Sequence, residues 1–242
     1  MTISLVATSH GTAVPAAQAS ITALVEAVRE ASPHLDVREA FVDVQTPSVA
    51  DVVDDIDGLA VVVPLLLAPG FHVHVDIRQA ADRPGVVASG TLGPDPRLTD
   101  VLRGRLADAG ATKDDVIVLG AAGSTDIRAR QSVDAAARQL GAAWGSPVPV
   151  GYVGGTGTPI DEIVRDVARS GRRVVVASYL MAPGFFHDRL RECGADAVTR
   201  PVLDGLDVAP EMVSLVLDRF ADAAGVLDWA AASTSHRVRE QM

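Results

Sequence analysis

The amino-acid sequence predicts an α/β protein written twice, with two similar doubly wound parallel-sheet domains arising from an internal duplication. Three observations lead there. Short, wholly apolar runs alternate with stretches whose apolar residues recur every three or four positions. The runs, such as "LAVVVPLL", leave no face for water, as expected of parallel strands covered by helices on both sides. The chain also matches itself. A shift of 112 carries "LVATSHGTAVPAAQAS" onto "IVLGAAGSTDIRARQS", Gly11 onto Gly123, Ser20 onto Ser132 and Thr46-Pro47 onto Thr158-Pro159. After a two-residue insertion, "APGF" at 68–71 meets "APGF" at 182–185. Matches repeated in one order at a near-constant shift mark a repeat.

The elements follow in order. "ISLVAT" is a short apolar strand, and Ile21, Leu24, Val25 and Val28 stripe a helix from Pro15 to Ala31. "DVREAFV" is the second strand. Thr46 is placed to cap a second helix with Pro47 at its first position, and Thr158 and Pro159 repeat the device. "LAVVVPLL" is the third strand. The second half repeats the series with "DVIVLGA", "VPVGYV" and "RRVVVASYL", then a closing helix from about Pro210 to Ala224. The expected division is a first domain over 1–112, a second over 113–225, and a tail over 226–242 containing a solvated His236. Both domains are expected to be open sheets of the flavodoxin- or Rossmann-like kind.

Composition narrows the function. Hydrophobic residues make up 48% of the chain, yet no apolar run approaches the roughly 18–20 residues of a membrane-spanning helix. "MTISLVATSHGTAVP" lacks a basic region before its apolar stretch and reads as a first strand, so a cytoplasmic location is expected. The single cysteine, Cys193, rules out an internal disulfide or a cysteine metal cage and reads as a buried small hydrophobe. A net charge of -10 argues against a nucleic-acid surface.

Open parallel sheets bind ligands at the carboxyl ends of their strands. "SHGT" follows the first strand and carries His10, Asp43 lies past the second, and "LAPGFHVH" follows the third with His72 and His74. In extended backbone, residues 72 and 74 would point the same way. Two imidazoles and a carboxylate suit divalent iron, cobalt, nickel or zinc and leave open positions for an incoming group. Each residue also has a plain reading: a loop histidine can bond a backbone carbonyl, Asp43 can cap the next helix, and His34 sits at a helix end. "GYVGGTGTP" at 151–159 lacks the spacing of either common phosphate loop, so its glycines read as a tight turn. Ser9 and Ser124 lack the pattern of a nucleophile elbow.

"SHGT", "AFVDVQTPSV", "VVVPLLLAPGFHVHVDI" and "TLGPDPRL", in this order and spacing, resemble the sirohydrochlorin chelatases of the CbiX/SirB type, including their long form with two fused halves. The likeness covers roughly residues 3 to 224. It implies insertion of Fe²⁺ or Co²⁺ into sirohydrochlorin without ATP, on the route to siroheme or cobalamin. It implies His10 and His72 as metal ligands, with Asp43 where the family often has Glu and Ser9 where it more often has Gly. Ser9, Gly11, Gly70, Phe71 and Arg78, facing Phe185 and Arg189 from the second half, are expected to hold the macrocycle. Arg128 and Arg130 are further candidates for its carboxylates, against the plain reading of solvated helix arginines. The second copy has Ala122 opposite His10 and Phe186 opposite His72, so a single site is expected, with the second half as the opposing wall. No organic cofactor, nucleic acid or membrane is expected as a partner. A monomer is expected, with a dimer as the alternative. Two rival readings are a non-catalytic metal or tetrapyrrole carrier, and a phosphate- or nucleotide-binding protein centred on 151–159.

Overall fold

Each half folds as one all-parallel sheet, because its apolar strands are buried on both faces and each is followed by an amphipathic helix. The computed structural model describes the backbone of residues 3–205 and 207–240, with all side chains there except those of 71–75 and 228–240. The first half runs β1 (Ile3–Ser9), α1 (Pro15–Ala31), β2 (Val37–Phe41), α2 (Val49–Asp54), β3 (Leu59–Pro64), α3 (Phe71–Ala80), β4 (Val86–Ala88) and α4 (Pro96–Asp108). The second runs β5 (Val116–Ala121), α5 (Ile127–Trp144), β6 (Val150–Tyr152), α6 (Ile160–Ala168), β7 (Val174–Tyr179), α7 (Phe185–Arg191), β8 (Ala197–Val198) and α8 (Pro210–Glu240). The strand orders are β2-β1-β3-β4 and β6-β5-β7-β8. Register repeats too: Leu5 lies beside Val61 as Ile117 lies beside Val175.

Alternate residues of each strand serve different cores. Val6, Ala40, Val62 and Ile77 belong to an outer core under α2 and α3. Val118, Val176, Leu190 and Cys193 form its counterpart under α6 and α7, where burial pushes the Cys193 thiol up. The inner faces share one continuous core that joins Leu5, Val61 and Val63 to Leu119, Val175 and Leu215. Within it the closing helices change sides: α4 packs against β7 of the second sheet, and α8 against β3 and β4 of the first. Arg219 of α8 fixes this exchange by donating to the carbonyls of Thr91 and Leu92 and to Asp95, the α4 N-cap.

Two expectations are corrected. The cap of α2 is Ser48, whose hydroxyl accepts the Asp51 N–H at 3.1 Å, rather than Thr46. Pro47 is held out of the helix because its carbonyl accepts the Phe41 N–H at 3.0 Å, extending the edge of β2. The Thr158–Pro159 device is corrected likewise: Pro159 is the N-cap of α6 with no side-chain cap bond, and the Thr158 carbonyl accepts the Tyr152 N–H, so the structural partner of Pro47 is Thr158 and the two Thr-Pro pairs are out of step by one residue. The closing helix, expected to end near Ala224, continues as α8 to Glu240. The side chain of His236 lies outside the described residues.

Candidate functional site

In a sheet ordered 2-1-3-4 the chain reverses direction between β1 and β3, and the crevice at that switch is where such sheets take ligands. His10 leaves β1 there, and Gly70 caps α3 beyond β3. The exits of β1 and β2 are sewn together. Val42 N–H donates to the Ser9 carbonyl at 3.0 Å and Asp43 N–H to the His10 carbonyl at 2.9 Å, which joins the two candidate donors backbone to backbone. Gly11 next to them has φ 90°, and a Cβ there would stand 1.9 Å from the Asp43 carbonyl oxygen, so only glycine fits. Gln45 braces the loop by accepting the Thr12 N–H at 2.9 Å, and Gln18 donates to the Thr12 carbonyl at 2.7 Å.

Asp43 does not cap α2. Its Oδ1 accepts the N–H of Val44 at 2.7 Å, and its carbonyl accepts the N–H of Gln45 at 2.7 Å. Val44 sits in this three-residue turn at φ 64°, an unusual conformation for a β-branched residue and one that tends to mark functional loops. No feature of the sequence announced it. His10 and Asp43 are exposed, while Ser9 is buried. The side chains of Phe71, His72 and His74 lie outside the described residues. The extended backbone assumed for 72 and 74 is corrected, since both fall within α3, where a spacing of two does not share a face. Around Gly70 an added Cβ would meet nothing within 4 Å. Among the described residues no three His, Cys, Asp or Glu cluster as a metal cage.

The second half keeps this scaffold without the donors. Val153 N–H donates to Ala121 and Gly154 N–H to Ala122, both at 2.9 Å, and a Cβ on Gly123 would stand 1.8 Å from the Gly154 carbonyl. Ala122 therefore replaces His10, Gly154 replaces Asp43, and Phe186 falls at the place of His72. His187 is engaged elsewhere, its Nε2 being 3.0 Å from the Thr199 carbonyl. The glycines of 151–157 serve packing: a Cβ on Gly151 would meet Ile160 at 2.5 Å, and one on Gly157 would meet the Tyr152 ring at the same distance. The N–H groups of 153, 154 and 156 already bond carbonyls of the neighbouring loop. With Asp161 and Glu162 in the first turn of α6, the loop is unsuited to phosphate.

Four arginines were candidates for anion contacts, and their surroundings separate them. Arg128 is paired with Asp126, Nη2 to Oδ2 at 2.7 Å, and Arg189 with Glu192 at 3.1 Å. Arg78 is exposed beside an open groove of about 940 Å³ between α3 and β4. Arg130 lines a cavity of about 230 Å³ between residues 66–70 of the first half and the ends of β5, β6 and β7. Tyr179 closes that junction by donating its hydroxyl to the Leu67 carbonyl at 3.1 Å. Burial, helped by the Asp95 charge, holds its phenol well above the usual tyrosine range. Large apolar side chains are exposed after β2, β5 and β7: Val44 (60% exposed), Ile127 (54%), Phe185 (68%) and Phe186 (46%). The two phenylalanine rings meet edge to face, 5.6 Å between centroids.

Two copies of one α/β scaffold, with His10 and Asp43 at the strand ends of the first and Ala122 and Gly154 at the matching places of the second, define a duplicated, two-sheet class of α/β protein. The chain belongs to the CbiX family, whose model matches residues 4–109 and again 116–223. A Halobacterium salinarum protein described as a probable sirohydrochlorin cobaltochelatase is 34% identical over 108 residues, a stretch covering 37% of this chain and 36% of that protein. The fold is similar to that of SirB from Bacillus subtilis with Fe³⁺, at a TM-score of 0.75 and 20% identity over 90% of this chain and 94% of that one. A sirohydrochlorin chelatase SirB from Bacillus subtilis subspecies spizizenii, in complex with cobalt, gives 0.73 and 19% over 92% and 95%. Among the described residues no helix is long and apolar enough to cross a membrane.

Proposed function

We propose that this protein inserts a divalent metal, Fe²⁺ or Co²⁺, into sirohydrochlorin at the carboxyl edge of its first sheet, as a lyase of siroheme or cobalamin synthesis that needs no nucleotide. The observation that carries this reading is the difference between the two halves. The same backbone bonds recur in both, yet the three strand-end positions hold His10, Asp43 and His72 in one copy and Ala122, Gly154 and Phe186 in the other. A metal site kept in the first copy and lost from the second accounts for that difference. His10 and His72 act as the donors that receive the metal from water. Insertion forms metal–nitrogen bonds and releases two pyrrole protons, so a base must stand close by. Asp43 takes that role or orients an imidazole, one carboxylate oxygen being fixed by Val44 N–H and the other left to accept. The exposed, touching rings of Phe185 and Phe186 suit the face of a flat macrocycle. The metal and the ring are both substrates, and the assignment of iron or cobalt rests with a metal-by-tetrapyrrole activity matrix.

The test follows the visible spectrum of sirohydrochlorin mixed with Co²⁺ or Fe²⁺ under reducing, anaerobic conditions. The protein is expected to raise insertion above the spontaneous rate, and His10→Ala to remove about 100-fold or more of that gain. A rate equal to the spontaneous one, with metal still bound, would make the protein a carrier; an undiminished His10→Ala rate would dismiss His10.

A further inference from the structure

The cavity between the halves is bordered by an arginine, Arg130. Arg130 is the fourth residue of α5, where a cation opposes the helix dipole. Its Nε is buried and, among the described residues, has no hydrogen-bond acceptor. Buried donors in folded proteins are almost always satisfied, so one that is not calls for an explanation. Arg130 also borders the outer groove along α5, which it shares with Asp134 one turn on; of the two, only Arg130 lines the cavity as well. Walls of Leu66, Leu67, Val133, Leu180 and Met181 make the surroundings apolar, which strengthens any charge placed there.

The repeat sharpens the point. The shift of 112 puts Gln18 at the place of Arg130, and Gln18 spends its amide bracing the loop that carries His10. One copy uses this position to hold its own loop; the other keeps a guanidinium at the interface.

We propose that Arg130 anchors a carboxylate side arm of the bound macrocycle from the second half. This rests on the reading of the site given above. A guanidinium grips a carboxylate through two parallel hydrogen bonds, and Arg130 brings one to the wall of the cavity. At about 230 Å³ the cavity is smaller than the roughly 300–1,000 Å³ of pockets that enclose a drug-sized ligand, so it takes a substituent rather than the ring. A chain of net charge -10 draws a carboxylate-rich ligand by such a local cation, not by its overall field.

The experiment titrates metal-free sirohydrochlorin into the full chain and follows the ring's own absorbance and fluorescence, with Co²⁺ binding and thermal melting measured separately. Arg130→Gln is expected to weaken ring binding about ten- to a hundredfold while Co²⁺ affinity stays unchanged. Arg130→Lys, which keeps the charge but not the fork, is expected to lose severalfold. If wild type binds the ring and Arg130→Gln binds it within twofold as tightly, the anchor is refuted and the site reading stands. Should Arg130→Gln melt early, an Arg130→Lys protein as tight as wild type refutes it equally. If wild type binds no ring at all, both fall together.

Discussion

Replacing Gly11 by alanine tests the scaffold and the site at once. The new Cβ would lie 1.9 Å from the Asp43 carbonyl oxygen, against the 3.0 Å below which real contacts essentially never fall, so the Asp43 backbone must retreat by about 1 Å or more. Alanine at φ 90° costs about 1–3 kcal/mol. The retreat also strains or breaks the Asp43 N–H bond to the His10 carbonyl, worth about 1 kcal/mol. Together these give about 2–4 kcal/mol, or roughly 5–15 °C in Tm for a chain of this length. Gly123→Ala repeats the insult in the second half, 1.8 Å from the Gly154 carbonyl, and should cost about the same. The two part company on metal: Gly11→Ala displaces His10 and Asp43 and is expected to lose about tenfold or more in Co²⁺ affinity, whereas Gly123→Ala keeps it. Thermal melts and calorimetric Co²⁺ titrations of both variants decide. Equal loss of Co²⁺ affinity in the two would refute the assignment of the site to the first half, and an unchanged Tm in Gly11→Ala would refute the contact.

Two further predictions concern the contacts between halves. Tyr179→Phe strands the Leu67 carbonyl and is expected to cost about 1–3 kcal/mol, read as a lower Tm. Because the folded phenol titrates above the free value, wild type should lose stability as pH rises past about 10, a component absent from Tyr179→Phe. For Asp95, burial pushes its carboxyl upward, but Arg97 and Arg219 outweigh it and hold the group below its ordinary range. Its stabilisation is therefore present above about pH 4 and lost as pH falls through the lower folded value. Asp95→Asn, which keeps a capping oxygen, should be less stable than wild type at neutral pH, with the gap closing below pH 4 in urea melts. A gap constant across that range would count against the ionic contribution.

The strands and the α1 helix were legible because burial on both faces, or on one stripe, leaves a period in the sequence. Val61 to Val63 and the Ile21–Val28 stripe carry that signal directly. The exchange of α4 and α8 left no such trace: an apolar stripe such as that of Leu98, Val101 and Leu102 fits either sheet equally well. Strand-end logic brought His10 and Asp43 to one edge, but the bond between their backbones depends on the conformation of Gly11, and the Val44 turn on tertiary context. Thr46-Pro47 misled because a local capping pattern yielded to a strand-edge hydrogen bond from Phe41. Among the arginines, separating Arg130 from Arg128 required knowing which carboxylates lie within reach.

With α4 roofing the second sheet and α8 the first, each repeat borrows a covering helix from the other. Cutting the polypeptide at the junction would strip a lid from each fragment, and only recombination of the two pieces could restore both. Interlocking of this sort ties both sheets to one shared interior, so a change packed into either closing helix is felt in the other half.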